Sequence, residues 1–452
     1  MEDTLKDLTT GPIQKHLYEL AIPTIGGMLA FALFNITDTY FVGKLGKDAL
    51  AAMGFTFPIV MMAGAISTGI STGAASLLAR AYGNNNHRKV QRIATDGILL
   101  SIILVAVFSI LGLLSMDSLF TYMGANDKTL PLTKSFMTIW YSSVIVVMMP
   151  PVSDGAMRAI GDTIRPFKIM LTCALLNMVL DPIFIFGWFG IPALGIEGAA
   201  IATVISRFVG MIGSLYYNYR IHNLIDLRVP KLSTLLESWQ NIIALGVPSA
   251  CVVLLPQVIR LCLTSLSAQI GGTDTVASVA IGSRIEGFSL IIAMAIGSSI
   301  VPLVGQNYGA KEYGRVRDIQ QLLVKTALFT STFILLIIAL FSKPLILLFS
   351  KDPIVIHLTF IYLSIVAVGS IGLNLYNFNS QVLNALGLSK IALIINSIGT
   401  LVVIIPSMIL GAQLSFVHML IGLAVGQIIL GVISTKYCKN IVAFAEKKLI
   451  PN

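Results

Sequence analysis

The chain has 452 residues, 56% of them hydrophobic and only 11% charged, with a mean hydropathy of +0.87. Soluble domains run at about 45 to 50% apolar and about 25% charged, so the composition excludes an ordinary soluble enzyme or nucleic-acid module and implies an all-α polytopic membrane protein. The net charge of +9 is a matter of topology. With an even number of spans, 21 Lys and Arg fall on the side of both termini and only six on the other, which puts both termini in the cytoplasm of a plasma-membrane protein.

A span needs about 20 apolar residues, and breaking the chain at its polar loops yields twelve spans: 17–42, 52–78, 93–115, 131–154, 167–187, 194–217, 240–268, 276–303, 320–342, 355–378, 389–410 and 414–435. Residues 1–16 read as a cytoplasmic tail without a cleaved signal, so the first span is the targeting segment. That span carries Asn35, Thr37 and Asp38 inside an apolar run. A charge at the centre of a spanning helix costs about 2.5 to 3.5 kcal/mol on insertion scales, so its presence calls for a role. The fourth span ends in Asp154, Arg158 and Asp162, expected as a solvated cytoplasmic cluster. The fifth holds Asn177 and Asp181 four residues apart on one helical face, followed by Pro182, which cannot bond to the carbonyl of Met178. The sixth brings Thr203, with Arg207 one turn further on.

Residues 220–238 form a polar linker, after which the seventh and eighth spans carry Arg260, Arg284 and Glu286. Arg260 either pairs with Glu286 or repels cations from this half of the chain. Cys173, Cys251 and Cys262 lie in apolar spans and Cys438 in the cytoplasmic tail, a spacing that reads as free thiols rather than a disulfide framework.

The chain repeats itself at about 225 residues. LAIPT at 20–24 returns as LGVPS at 245–249, Tyr82-Gly83 as Tyr308-Gly309, MRAIG at 157–161 as LNALG at 383–387, and Pro182 as Pro406. Two six-helix lobes follow, 17–219 and 239–452, in the same orientation because six is even. Asp38 falls opposite Leu263, Asp181 opposite Ile405 and Thr203 opposite Gln427, so only the first lobe keeps the acids. A residue needed merely to build a lobe would recur in both. At a rise of about 1.5 Å per residue, Asp38, Asp181 and Thr203 all lie in the outer half of the bilayer. Two carboxylates, an Asn carbonyl and a Thr hydroxyl are hard oxygen donors, suited to a dehydrated Na⁺ or a shared proton, with Asn35, Thr37 and Arg207 as neighbours.

These residues carry a resemblance. The run D-T-Y-F-V-G-x-L-G at 38–46, R-A-x-G-D at 158–162, N-x-V-L-D-P-I-F-I at 177–185 and G-x-x-G-A-A-x-A-T at 195–203 resemble the multidrug and toxic compound extrusion (MATE) transporters of the MOP flippase superfamily. The resemblance covers essentially the whole chain. It implies a V-shaped pair of six-helix bundles exporting organic, mostly cationic compounds in exchange for Na⁺ or H⁺, with Asp38, Asn177, Asp181 and Thr203 as the cation site. The spans 240–268 and 355–378 contain no Asp or Glu, a departure from the NorM-type pattern that places the chain nearer the DinF-like branch.

Adaptable Met and aromatic side chains suit promiscuous binding of flat cations. Phe34, Tyr40, Met61, Met62, Tyr141, Met148, Met149, Tyr376 and Phe378 are therefore candidates for a substrate cavity, of which no more than a third are expected to line it. The sequence has no GxxxxGK[ST], HExxH or CxxC run, so neither an ATP-driven pump nor an enzyme is expected, and the energy source is an ion gradient. A monomer that needs no cofactor beyond its coupling ion, with small organic cations and membrane lipid as its partners, is the expectation. The alternative is a flippase for a lipid-linked precursor, which calls for a cavity rich in Arg and Lys.

Overall fold

The computed structural model describes residues 7–228 and 231–447. Residues 1–6, 229–230 and 448–452 of the expected tails and linker lie outside the described residues. Every regular element is helical: α1 Ile13–Gly43, α2 Lys47–Gly83, α3 His87–Tyr122, α4 Thr129–Ser142, α5 Val144–Met148, α6 Pro150–Ala159, α7 Ile164–Phe186, α8 Ile196–Tyr216, α9 Leu232–Gly309, α10 Tyr313–Leu347, α11 Pro353–Ala385, α12 Ser389–Ile398, α13 Ile405–Ala412 and α14 Phe416–Lys447. In an apolar solvent the helix is the way a single segment satisfies its own backbone polar groups. Among the described residues, eleven helices are long and apolar enough to cross a membrane. A twelfth crossing is the pair Thr129–Ser142 and Val144–Ala159, bent by 70°.

That bend has a local cause. Ser143 leaves the helical region at φ −110°, ψ 12°, and Pro150 and Pro151 then remove two backbone donors. Helix α2 braces this stretch: Ser71 Oγ donates to the Pro151 carbonyl at 3.0 Å. Helix α9 covers two of the expected spans and breaks at Gly271 (φ −139°) and Gly272 (φ 61°).

Among the described residues the chain divides into two compact units, one of Asp7 with Glu19–Ala250 and one of Leu8–Tyr18 with residues 251–447. The first has a core of Val42, Phe120, Phe136, Met137, Trp140, Tyr141 and Ile185. The second is built on Ile338, Ile346, Tyr362, Leu363, Met408 and Leu420. Segment 220–238 packs with the first unit: Gln91 Nε2 donates to the Asn223 carbonyl at 2.8 Å, the Asp226 amide to Thr95 Oγ1 at 2.9 Å, and the Trp239 indole to the Asp96 carbonyl at 3.0 Å. Residues near the N-terminus are held in the second unit, where Asn307 Nδ2 donates to the Leu8 carbonyl at 3.0 Å and Arg315 to the Gly11 carbonyl at 3.1 Å.

The repeat is visible residue by residue. Helix α2 ends at Gly83 and α9 at Gly309, each followed by a non-glycine residue in the left-handed region, Asn85 at φ 54° and Lys311 at φ 65°. The next helix restarts at His87 and Tyr313. All four cysteines are free, as their spacing implies.

Candidate functional site: a buried oxygen cluster in the first unit

Three helices bring the expected cation ligands together. Helices α7 and α8 pack closely because Gly198, at the start of α8, lies against the Phe184 carbonyl, where any Cβ would collide with it. The small residues Ala199, Ala200 and Ala202 continue the buried face. Helix α1 meets α7 through Gly26, whose missing Cβ leaves room for the Phe167 ring, and through Ala30, Phe34 and Ala174 one to three turns from Asp38 and Asn177. Helix α7 runs on through Pro182 to Phe186.

At this junction Asp38 is 8% exposed, Thr203 7%, and Asn177 and Asp181 are fully buried. Asn177 Nδ2 donates to Asp181 Oδ1 at 2.9 Å, which fixes the amide so that its carbonyl oxygen is free. The two carboxylates are close enough to interact electrostatically. Asp38 Oδ1, Asn177 Oδ1, Asp181 Oδ2 and Thr203 Oγ1 are all buried without a hydrogen-bond partner among the described residues. A buried polar atom left without a partner costs about 1 to 3 kcal/mol, and more when it is charged. Four such oxygens, two of them carboxylate, are acceptors to which a cation, a proton or water can bind. The donor set, all hard oxygen, fits Na⁺ or H⁺ and offers nothing to a soft metal.

The neighbours divide. Thr37 is buried beside Asp38. Asn35 is exposed and donates its amide to the Phe31 carbonyl at 2.7 Å, one turn back on its own helix, so it takes no part in the cluster. Arg207 is half-buried and, among the described residues, forms no ion pair; its guanidinium lies 4.5 Å from the Phe34 ring centroid and 5.6 Å from that of Phe31. That stacking places a cation one turn inward of Thr203.

Several cavity candidates are core residues instead. Tyr141 and Met148 are packed inside the first unit's core and Tyr376 inside the second's. Phe378 and Met149 are also buried, because in each case the Met or aromatic stripe follows the helix face that packs on its neighbours. Phe34 is buried under Arg207, while Tyr40, Met61 and Met62 are exposed.

The expected solvated cluster at the inner end of the fourth span is in fact folded into the protein. Asp154 Oδ1 accepts from Ser214 Oγ at 2.7 Å. Asp162, 5% exposed, faces Arg165 Nη1 at 2.5 Å and His222 Nε2 at 2.8 Å. Burial pushes the Asp162 carboxyl upward, but hydrogen bonds from His222 and Arg165 outweigh it and hold the group below the ordinary carboxylate range. The physical reason for the correction is that the helical turn Tyr217–Ile221 prolongs α8 past the expected end of the span at 217, so that Ser214, Asn218 and His222 pass those positions. These three were missed as partners. Their spacing of four residues, continuing the face of Thr203 and Arg207, is the signal that would have found them. Asn218 donates to Ser153 Oγ at 2.7 Å, so a polar file runs along α8 from the oxygen cluster to its inner end.

Comparison with known proteins bears on what this arrangement serves. The MatE family model matches residues 23–183 and again 248–409, two copies that coincide with the internal repeat. A Shewanella oneidensis protein named FAD transporter is 30% identical over 426 residues, 94% of each chain. A Thermotoga maritima protein named probable multidrug resistance protein NorM is 29% identical over 77% of this chain and 74% of its own. Among solved structures, a mutant of the Vibrio cholerae transporter VcmN superposes with a TM-score of 0.88 at 28% identity, covering 95% of this chain and 97% of that one.

Proposed function

The chain belongs to the MatE family of multi-pass multidrug and toxic compound efflux transporters, and from that premise we propose that it is an antiporter exporting small organic molecules in exchange for Na⁺ or H⁺ held by Asp38, Asn177, Asp181 and Thr203. The observation that carries this reading is the set of four orphaned, buried oxygens contributed by three helices. A cation entering among them offsets the repulsion of the two carboxylates and draws α1 onto α7 and α8. Coupling requires that the ion bind one state of the transporter better than the other. In α1, Pro23 removes one helical hydrogen bond just below the close contact at Gly26, which makes this turn the natural place for the helix to bend.

The positive-inside charge distribution supports cytoplasmic termini in a plasma membrane, and a cation site built from one chain supports a monomer as the working unit. Acid-free spans 240–268 and 355–378 support a place nearer the DinF-like branch. The relatives' names, transporters of drugs and of FAD, do not favour a lipid-linked precursor as cargo. Two substrate classes remain. Organic cations suit the multidrug relative; an anionic flavin nucleotide suits the relative that matches along 94% of each chain.

Ethidium efflux from proteoliposomes tests the reading, run under a sodium gradient alone and then under a proton gradient alone. Wild type is expected to respond to at least one gradient and Asp38→Asn to neither, with both proteins inserted equally. Coupled efflux by Asp38→Asn at the wild-type rate would remove Asp38 from the mechanism.

A further inference from the structure

The second unit carries no acid where the first carries Asp38; it carries arginine. Leu263 is the repeat partner of Asp38, and Arg260 lies one turn from it on α9. At Gly271 and Gly272 α9 folds back on itself: Thr275 Oγ1 donates to the Ser267 carbonyl at 2.6 Å, and Ala268 shares a cavity wall with Ala277 and Ala280. The two limbs are therefore antiparallel neighbours. Arg260 lies eleven residues before the break and Arg284 twelve residues after it, so at about 1.5 Å per residue both sit at the same level, about 17 Å from the turn.

Both arginines are exposed and, among the described residues, neither forms an ion pair. An arginine inside a span faces a protein interior or a water-filled cavity rather than lipid. The faces agree. The open cavity beside the turn, about 460 Å³, is lined by Ala268, Gly272, Thr273, Val276, Ala277 and Ala280; at steps of four residues along the same two limbs, Thr264 and Arg260 precede Ala268 and Arg284 follows Ala280. One acid shares this level. Glu286 accepts the Tyr362 hydroxyl at 2.8 Å and interacts electrostatically with Arg260. It balances one arginine and leaves the other uncompensated.

We propose that Arg260 and Arg284 form an anion-binding site in the second unit that takes the phosphate of an aromatic organic phosphate, whose ring lies against the small apolar side chains of the adjoining cavity. Guanidinium groups suit phosphate because their fork of donors matches its oxygens. The proposal rests on the export reading above and assigns the units separate tasks: the first holds the driving cation, the second the anionic cargo.

Binding of riboflavin 5′-phosphate and of riboflavin to the full chain in phosphatidylcholine nanodiscs tests it, since the two share a ring and differ by the phosphate. The phosphate ester is expected to bind on the order of tenfold tighter or better, an advantage that Arg260→Gln and Arg284→Gln each reduce and the double variant abolishes. Equal affinity for the two flavins, or an advantage that survives the double variant, overturns the site. A third arm uses phosphatidylglycerol nanodiscs: loss of flavin phosphate binding there, with no competition from inorganic phosphate, would assign the arginines to a lipid headgroup and overturn the cargo assignment. Ethidium efflux is run in parallel. Retained efflux in both variants shows that they are folded and that only anion recognition was changed, whereas absence of driven efflux in wild type would sink the export reading and leave the binding result standing.

Discussion

Asp181 and Asp162 are carboxylates in opposite circumstances, and each makes its own prediction. Asp181 is fully buried, with one oxygen bonded to Asn177 and the other without a partner among the described residues. Asp181→Asn keeps the shape and removes the charge, so Na⁺ or H⁺ loses a ligand: coupled efflux is expected to fall at least tenfold while the melting temperature holds or rises, because a repulsive pair is gone. Asp162 is already satisfied by Arg165 and His222. Its carboxyl is held below the ordinary range, so it contributes stability that is fully present above the unfolded carboxyl pKa of about 3.9 and lost as pH falls through the lower folded value. Asp162→Asn is therefore expected to cost about 1 to 3 kcal/mol at neutral pH, with the two proteins converging in thermal melts taken at progressively more acid pH below about 4. A deficit that persists unchanged in acid would assign the cost to packing.

Helices meet here wherever a side chain is missing. Gly198 lets α8 approach the Phe184 carbonyl of α7, and Thr203 follows five residues on along the buried face of α8. Gly198→Val forces the helices apart at a cost of about 1 to 3 kcal/mol, and it is expected to abolish cation coupling although no ligand is altered; transport by this variant at the wild-type rate would show that the cluster tolerates a looser α8. The bent pair of α4 with α5 and α6 is braced by a neighbour: Pro150 and Pro151 remove donors from the stretch, and Ser71 of α2 donates to the Pro151 carbonyl. A break in a spanning helix persists only where a neighbour supplies the missing partner.

Over the whole chain, the two units share a repeat and differ in charge. The first presents two acids with Asn and Thr oxygens; the second carries Arg260, one turn from the residue that answers to Asp38, and Arg284 on the following limb. On the proposed site, protons and Na⁺ would share the same oxygens of the first unit, so ²²Na⁺ binding to purified protein is expected to weaken as pH falls and to vanish in Asp38→Asn. Sodium binding that is independent of pH would mean that proton and metal ion use separate groups.

Class, span count and the site's ingredients were legible in the sequence because lipid imposes them: apolar runs of about 20 residues must be helices, a duplicated pattern must fold twice alike, and a buried acid present in one copy alone is not scaffolding. Burial along each face was not legible. Tyr141, Met148, Tyr376 and Phe378 read equally well as cavity lining or core, since an apolar side chain suits both surroundings, and the packing placed them in the core. Pairings across distance were also beyond the sequence. Asp154 with Ser214, Asp162 with His222, and Arg207 over Phe34 join residues 60, 60 and 173 positions apart, and only the approach of whole helices brings such groups within hydrogen-bonding or stacking range.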